Sequence, residues 1–200
     1  MQDDTQLITH AQRGDADAFE ALLAPHERKI YALCLRILGN QEDAKDCAQE
    51  AILRIWRSLG TYRRQASFTT WSCRIATNVC LDLLRRNKAR PAVSLDTVAE
   101  VRFEATDGRA DPHAQAETAA RKRAMTEGIA ELSPDMRAAL VLRDVQGFSY
   151  DEVAEVLQVP LGTVKSRVSR ARDRLRDALR MDAELFPELT VYADERRRDE

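Results

Sequence analysis

The first half of the chain carries apolar residues at spacings of three and four, the period of one face of an α-helix. The first such stripe consists of Phe19, Leu22, Leu23, Ile30, Leu33, Ile37 and Leu38. We expect Pro25 to interrupt or bend this helix and Gly39-Asn40 to end it. A second helix is predicted from about Gln41 to Leu59, with Gly60 as its stop signal.

A third helix is predicted from Phe68 to about Asn87, because Ser67 has a side chain suited to an N-cap. Its inward positions include Ile75, Val79 and Leu83. Periodicity is then lost from residue 88 to 111, where proline, glycine and mixed charges indicate a linker.

The second half predicts four more helices. The first runs from about 112 to 131, and the next begins at Ser133-Pro134 and should end at Gly147. Ser149 and Glu152 fit a capping box at the start of a short helix, which a turn at 158–160 separates from the last one. That last helix places Val164, Val168, Ala171 and Leu175 on one face. The final pair of helices has the pattern of a helix-turn-helix.

The fold class that follows is all-α, with two small helical domains joined by a flexible linker, the second a helix-turn-helix. The predicted division is 1–88, a linker over 89–111, 112–180, and an acidic tail over 181–200 without regular structure. A hydrophobic content of 44% over 200 residues suffices for two small cores.

Composition also excludes several classes of protein. No apolar run approaches the ~20 residues of a membrane span, and the N-terminus is acidic, so we expect a cytoplasmic protein with no membrane insertion of its own. The four cysteines lack metal-ligand spacing and are interpreted as buried small hydrophobes; no metal or cofactor is predicted. With no phosphate loop and no nucleophile beside a base, the chain is not expected to be an enzyme.

Charge is distributed unevenly, although the formal net charge is only −2. Residues 61–92 carry seven Lys or Arg against one Asp, and residues 161–180 carry seven against two. The rest of the chain is therefore strongly acidic. Two separate basic surfaces of this kind indicate nucleic acid.

The first basic block interleaves arginines with aromatic residues at Tyr62, Phe68 and Trp71. Bases stack on aromatic faces while arginine follows the phosphates, so the cluster suits single-stranded DNA. The alternative is that Phe68 and Trp71 are core residues of a small helical domain.

In the second block, short polar and Arg side chains point outward from the last helix, as in major-groove readers. A solvated charged face is the alternative there.

An acidic stripe lies on the second predicted helix, where Asp43, Asp46 and Glu50 follow spacings of three and four with Gln49 beside them. A solvated face and a protein-docking face are both open readings. A catalytic carboxylate pair is not indicated, because no pocket or partner that would perturb a pKa is predicted.

These motifs resemble a known family. Residues 43–56, which read DAKDCAQEAILRIW, are similar to the polymerase-binding helix of extracytoplasmic-function (ECF) sigma factors of bacterial RNA polymerase. The match continues through Phe68, Trp71, Ile75-Ala76-Thr77-Asn78, Asp82, Arg85-Arg86, Gly162-Thr163-Val164-Lys165-Ser166-Arg167 and Arg170-Ala171-Arg172. It spans both predicted domains in order, over about residues 15–176. Cys47 and Ser72 depart from the family, which usually has larger aliphatic residues there.

The resemblance implies a role for each surface. Polymerase docking is implied for Asp43, Asp46, Gln49 and Glu50. Contacts with the −10 promoter element, including capture of a flipped base by the loop, are implied for Tyr62, Arg63, Arg64, Phe68, Trp71, Arg74, Asn78, Arg85 and Arg86. Contacts with the −35 element are implied for Thr163, Lys165, Ser166, Arg167, Ser169, Arg170 and Arg172.

The function implied is that of a transcription initiation factor that binds core RNA polymerase, selects promoters and assists their melting. The implied partners are core RNA polymerase, double- and single-stranded promoter DNA and an anti-sigma factor. The alternative is an autonomous helix-turn-helix regulator that does not bind the polymerase. An autonomous regulator of this kind would assign no function to the acidic stripe or to the aromatic residues of the first basic block.

Overall fold

A computed structural model of the chain describes residues 4–89, 112–180 and 185–186. This part of the chain is helical and contains no β-strand. The helices are α1 Asp4–Ala11, α2 Ala16–Leu38, α3 Gln41–Ser58, α4 Phe68–Ala89, α5 Pro112–Glu131, α6 Pro134–Leu140, α7 Tyr150–Leu157 and α8 Leu161–Leu179. The all-α fold class is thereby confirmed.

The first helical unit is built from α1 to α4. The Asp15 carboxylate caps α2 by accepting from the Ala18 amide at 3.1 Å, and α2 ends at Gly39, whose φ of 81° glycine adopts without strain. Helix α2 continues through Pro25, so the interruption expected there is absent. Gly60 was also predicted wrongly as a stop, because α3 ends at Ser58 and passes into a 3-10 turn over Leu59–Thr61.

Helices α2, α3 and α4 pack on one another around the apolar residues that the periodicity predicts, including Leu22, Ile30 and Ile55. Ser67 caps α4 as expected, since its hydroxyl accepts from the Thr70 amide at 3.0 Å. Helix α1 was not predicted from the sequence, because it offers only eight residues with a weak apolar stripe.

The second helical unit is built from α5 to α8. Helix α6 continues into a π turn over Val141–Val145 and ends before Gly147, and the Ser133 side chain makes no cap bond. The capping box of α7 is present, with Ser149 Oγ 3.2 Å from the Glu152 amide. Gly128 lets α5 approach α8 closely, since a Cβ there would lie 2.7 Å from Leu175 Cδ1.

The two units pack directly against each other. Helix α7 lies on α4, and one continuous apolar core joins the first unit to Leu142, Phe148 and other residues of the second. Arg137, only 8% exposed, reaches across to donate to the Ile37 carbonyl at 2.9 Å. The Lys29 ammonium lies 4.7 Å from the centre of the Phe148 ring. The predicted linker, apart from residue 89 at the end of α4, falls outside the described residues.

The cysteines are buried and free, which confirms their interpretation as small hydrophobes. Burial raises the pKa of the Cys73 thiol to about 12. In the part of the chain that the structure describes, no cluster of His, Cys, Asp or Glu could hold a metal. Nor does any helix described there combine the length and apolar character that crossing a bilayer requires.

Candidate protein and nucleic-acid interfaces

One exposed face of α3 carries the predicted docking residues. Asp46 and Gln49 are exposed one turn apart. Asp43 is half-buried and takes part in the cap of α3: the Asn40 Oδ1 accepts from its amide and the Asn40 Nδ2 donates to its carboxylate, both at 2.8 Å. The structure therefore presents Asp46 and Gln49 to a partner, while Asp43 is held by the cap.

Glu50 and Leu53 extend this face. Glu50 accepts from Arg54 Nε at 2.7 Å, but both side chains remain about 40% exposed, and such surface pairs contribute little to stability. Leu53, which the sequence analysis missed, is 48% exposed. The missed signal was its spacing of seven from Asp46, which continues the stripe. We call Asp46, Gln49, Glu50 and Leu53 the docking face; an exposed leucine among acidic residues favours a protein partner.

The two departures from the family lie in well-packed positions. The thiol of Cys47 contacts that of Cys80, which also contacts Cys34, so three helices meet in a cluster of small side chains beneath the docking face. Ser72 is buried but donates to the Thr69 carbonyl at 3.0 Å, which satisfies its hydroxyl within α4.

The basic loop between α3 and α4 is held in place by α1. The Gln12 amide donates to the carbonyls of Leu59 and Tyr62, each at 3.0 Å. Arg64 has a left-handed φ of 58°, and its guanidinium donates to the Thr9 hydroxyl at 2.8 Å. Helix α1 therefore shapes the loop that the sequence analysis assigned to DNA.

The three aromatic residues of this region pack inward. Tyr62, Phe68 and Trp71 are each at most 7% exposed, and their ring centres lie 4.9 to 5.9 Å apart. The Tyr62 hydroxyl donates to the Ala66 carbonyl at 2.7 Å and so closes the loop. Phe68 and Trp71 are therefore core residues, which was the alternative interpretation. Because buried ring faces cannot stack on bases, we correct the predicted stacking role of the three aromatic residues: they support the loop from the interior.

A small pocket of about 90 Å³ nevertheless opens between the loop and α4, and Arg63 and Arg74 contribute to its walls. Edges of Tyr62 and Trp71 line it from below, and Glu155 of α7 lines it from the second unit. Along α4, Asn78, Arg85 and Arg86 are exposed. We call the loop, this pocket and these α4 side chains the loop surface.

Helix α8 carries the other basic surface. Val164, Val168 and Ala171 are buried as predicted, which turns the remaining positions outward. The exposed predicted residues are Lys165, Ser166, Ser169, Arg170 and Arg172, with Thr163 and Arg167 half-buried. Arg170 donates to the Ser166 hydroxyl at 3.2 Å. We call these seven residues the reading surface.

Arg172 of the reading surface is held in an ion pair with the π turn that follows α6. Its guanidinium binds both carboxylate oxygens of Asp144, at 2.6 and 2.8 Å, and this contact raises the pKa of Arg172. Because the pair is bidentate, it fixes the orientation of the guanidinium.

The loop surface and the reading surface meet in this arrangement. Asp135, at the start of α6, lies 3.5 Å from Arg85 of the loop surface and 3.6 Å from Arg167 of the reading surface. One carboxylate thus pairs with a cation from each surface. Together with Glu155 beside the pocket, it places negative charge where both surfaces would receive phosphates.

Comparison with known proteins identifies the family. Residues 22–90 match the family described as Sigma-70 region 2, and residues 122–175 match Sigma-70, region 4. The RNA polymerase sigma-H factor of Pseudomonas aeruginosa is 36% identical over 188 residues, which cover 90% of this chain and 95% of that protein. The ECF RNA polymerase sigma factor SigM of Mycobacterium tuberculosis is 40% identical over 172 residues, covering 86% and 82% respectively.

A solved structure shares the fold. The sigma factor RpoE of Bartonella quintana, crystallised with the anti-sigma factor NepR, superposes with a TM-score of 0.64 at 25% identity, covering 82% of this chain and 98% of that one. The two family matches follow the order of the helical units, with residues 22–90 in the first unit and residues 122–175 in the second. The chain belongs to the ECF sigma factors, transcription initiation factors that bind core RNA polymerase and direct it to specific promoters.

Proposed function

We propose that the three surfaces divide the work of this sigma factor. The docking face binds the core enzyme, the loop surface holds the unpaired strand of the −10 element, and the reading surface reads the −35 element. The observation that carries the proposal is the docking face, because an autonomous regulator has no use for exposed Asp46, Gln49 and Leu53 on one helix face.

The energetics of melting also favour a factor that works on the polymerase. Separating about ten base pairs costs on the order of 14 kcal/mol at about 1.4 kcal/mol per step. Three stacked aromatic rings would return only about 3 to 9 kcal/mol, and the rings of Tyr62, Phe68 and Trp71 are buried. The polymerase must therefore supply most of the stabilisation of the open strand, which makes this chain a specificity factor with no catalytic role of its own.

The contacts between the two units imply a step before DNA binding. Arg85 and Arg167 both face Asp135, and Glu155 stands beside the pocket of the loop surface. Phosphates compete for the same cations, so promoter binding is favoured when the units separate. We propose that docking on the core enzyme holds them apart.

The remaining partners follow from the family. An anti-sigma factor is a proposed partner, since the related Bartonella quintana sigma factor was crystallised with one. The proposed location is the cytoplasm, where core RNA polymerase is found.

The direct experiment is reconstitution with purified core RNA polymerase. The full chain should co-purify with the core enzyme and support run-off transcription from a library of genomic promoters. The Glu50→Lys variant should lose both co-purification and transcription, because it reverses a charge on the docking face. Glu42→Lys, at the exposed start of α3, is the matched control and should keep both. Binding to duplex DNA without any affinity for the core enzyme would establish the autonomous regulator instead.

A further inference from the structure

An open groove lies between the two units, and none of its lining residues belongs to the loop surface. Its volume is about 650 Å³, and its floor comes from Leu35 of α2, Ile129 of α5 and Leu175 of α8. Met125 and Val145 line it and are 36% and 39% exposed. Together with Leu53, they are the large hydrophobic residues exposed in the described part of the chain. Apolar surface of this kind indicates a docking site for another segment.

The rim of this groove is basic. Six Lys or Arg residues line it against a single acidic residue, Asp144. Three of these cations form exposed ion pairs, which contribute little to stability: Arg121 with Glu117, Arg172 with Asp144 and Arg176 with Asp173. Arg137 is buried and donates to backbone carbonyls. An occupant with apolar side chains and negative charge would complement both the floor and the rim.

The chain's own C-terminal segment already enters one end of the groove. Phe186 is only 6% exposed and packs on Ala124 and Leu179, and it is itself a lining residue. The Arg121 guanidinium lies 5.8 Å from the centre of the Phe186 ring. The chain leaves α8 at Leu179 and returns to this face within seven residues, so the following segment starts at the groove.

The sequence after Phe186 has the composition that the groove requires. It reads PELTVYADERRRDE. Residues 187–195 combine apolar Leu189, Val191 and Tyr192 with acidic Glu188, Asp194 and Glu195 and hold no basic residue; the three arginines follow only at 196–198. Leu189 lies three residues beyond Phe186, within about 10 Å of it, and Tyr192 within about 20 Å. Tethering this close to a site gives an effective concentration on the order of millimolar.

We propose that residues 187–192 are the occupant of this groove. Phe186 anchors the segment, Leu189 and Tyr192 cover Met125 and Val145, and Glu188 faces the basic rim. Since Leu35 and Arg36 of the first unit form one wall and the second unit forms the others, the bound segment ties the units together. The tail is then an intramolecular ligand that any protein using the same groove must displace.

Protection of Met125 from oxidation tests the proposal in the native chain. Dilute hydrogen peroxide should convert Met125 to its sulfoxide several-fold more slowly in wild type than in the double variant Leu189→Asp/Tyr192→Asp. Met136, which packs in another cluster and does not line the groove, is the internal reference and should react alike in both proteins. Equal rates at Met125 in the two proteins would overturn the proposal.

Disulfide trapping gives an independent test. The four native cysteines are buried, so Val145→Cys can be paired with Leu189→Cys in the full chain. Mild oxidation should join residues 145 and 189 within monomers. Leu53→Cys with Leu189→Cys is the matched control, since Leu53 is more exposed but lies on the docking face. Equal yields for the two pairs, or links found only between two chains, would contradict an intramolecular occupant.

Discussion

Leu53 shows how one side chain can define the character of a surface. Its neighbours on the docking face, Asp46 and Gln49, would suit water as well as a protein, but a half-exposed leucine gains free energy only when a partner covers it. The charged residues of such a face set the encounter rate and orientation, while an apolar residue near its centre stabilises the complex.

Leu53→Ala should therefore weaken binding to core RNA polymerase by about 1 kcal/mol, roughly fivefold in Kd. The fold should be unaffected, because about half of the Leu53 side chain is exposed to solvent and little of it packs in the core. A titration of labelled chain with core enzyme measures the change, and Leu53→Met, which keeps the apolar surface, is the control. Unchanged affinity of the alanine variant would remove Leu53 from the docking face.

The half-buried ring of His26 predicts that the stability of the fold depends on pH. Its ring packs on Phe68, with centres 5.1 Å apart, and its Nδ1 lies 3.3 Å from the Thr69 hydroxyl. Burial lowers the pKa of His26 below 6.5, with Asp4 opposing and Lys29 adding to the shift. The unfolded chain therefore takes up a proton first as the pH falls, and the folded state loses stability below about pH 6.5.

The midpoint of urea unfolding should thus decrease between pH 7.5 and pH 5.5 in wild type. His26→Gln keeps a polar side chain without a titrating ring and should show a smaller decrease. A pH dependence of equal size in the variant would assign the effect to other groups.

At the scale of one element, α8 combines two kinds of contact on one helix. Arg170 lies on the exposed face and bonds only to Ser166 of its own helix among the contacts described, so it can turn toward a base edge. Arg172 is fixed by Asp144 of the preceding π turn and presents its charge to the flank. The same residue type therefore serves two purposes according to its neighbours.

Arg170→Ala should cost about 1 to 3 kcal/mol of discrimination at one position of the −35 element. Arg172→Ala should weaken binding to all sequences alike and reduce the dependence on salt, because it removes a phosphate contact. Competition binding with a promoter duplex and random duplex at several salt concentrations separates the two. Parallel losses on both duplexes for Arg170→Ala would contradict a base-reading role.

At the scale of the whole molecule, the two units are closed on each other through contacts of several kinds. Arg137 crosses the interface to Ile37, apolar residues of both units share one core, and Asp135 joins a cation of each DNA surface. The ion pairs of Asp135 are exposed and weak, so they contribute only a small part of the free energy that holds the two units together.

Asp135→Asn should raise the affinity for a single-stranded oligonucleotide by up to about fivefold, which corresponds to a surface ion pair of about 1 kcal/mol. Asp144→Asn is the matched control. It removes the same charge from the second unit, and among the contacts described the native Asp144 pairs only with Arg172. Fluorescence anisotropy with a labelled strand gives both affinities. Equal gains in the two variants would assign the effect to net charge.

The sequence predicted those parts of this protein that depend on local order. Periodic apolar positions predicted α2, α3, α4 and α8. Ser67 and the Ser149–Glu152 pair placed the starts of α4 and α7 correctly, because a cap needs only residues three apart. The outward residues of α8 and the exposed positions of α3 followed from the same period.

Tertiary structure decided the features that join residues distant in the chain. Gln12 holds a loop about fifty residues away, and Arg137 bonds to a carbonyl one hundred residues away. The aromatic residues near the loop could equally have faced bases or the core, since periodicity does not say which surface a third helix covers. Local sequence fixes which face of each helix is apolar; only packing decides what that face meets, and so which charged surfaces stay open.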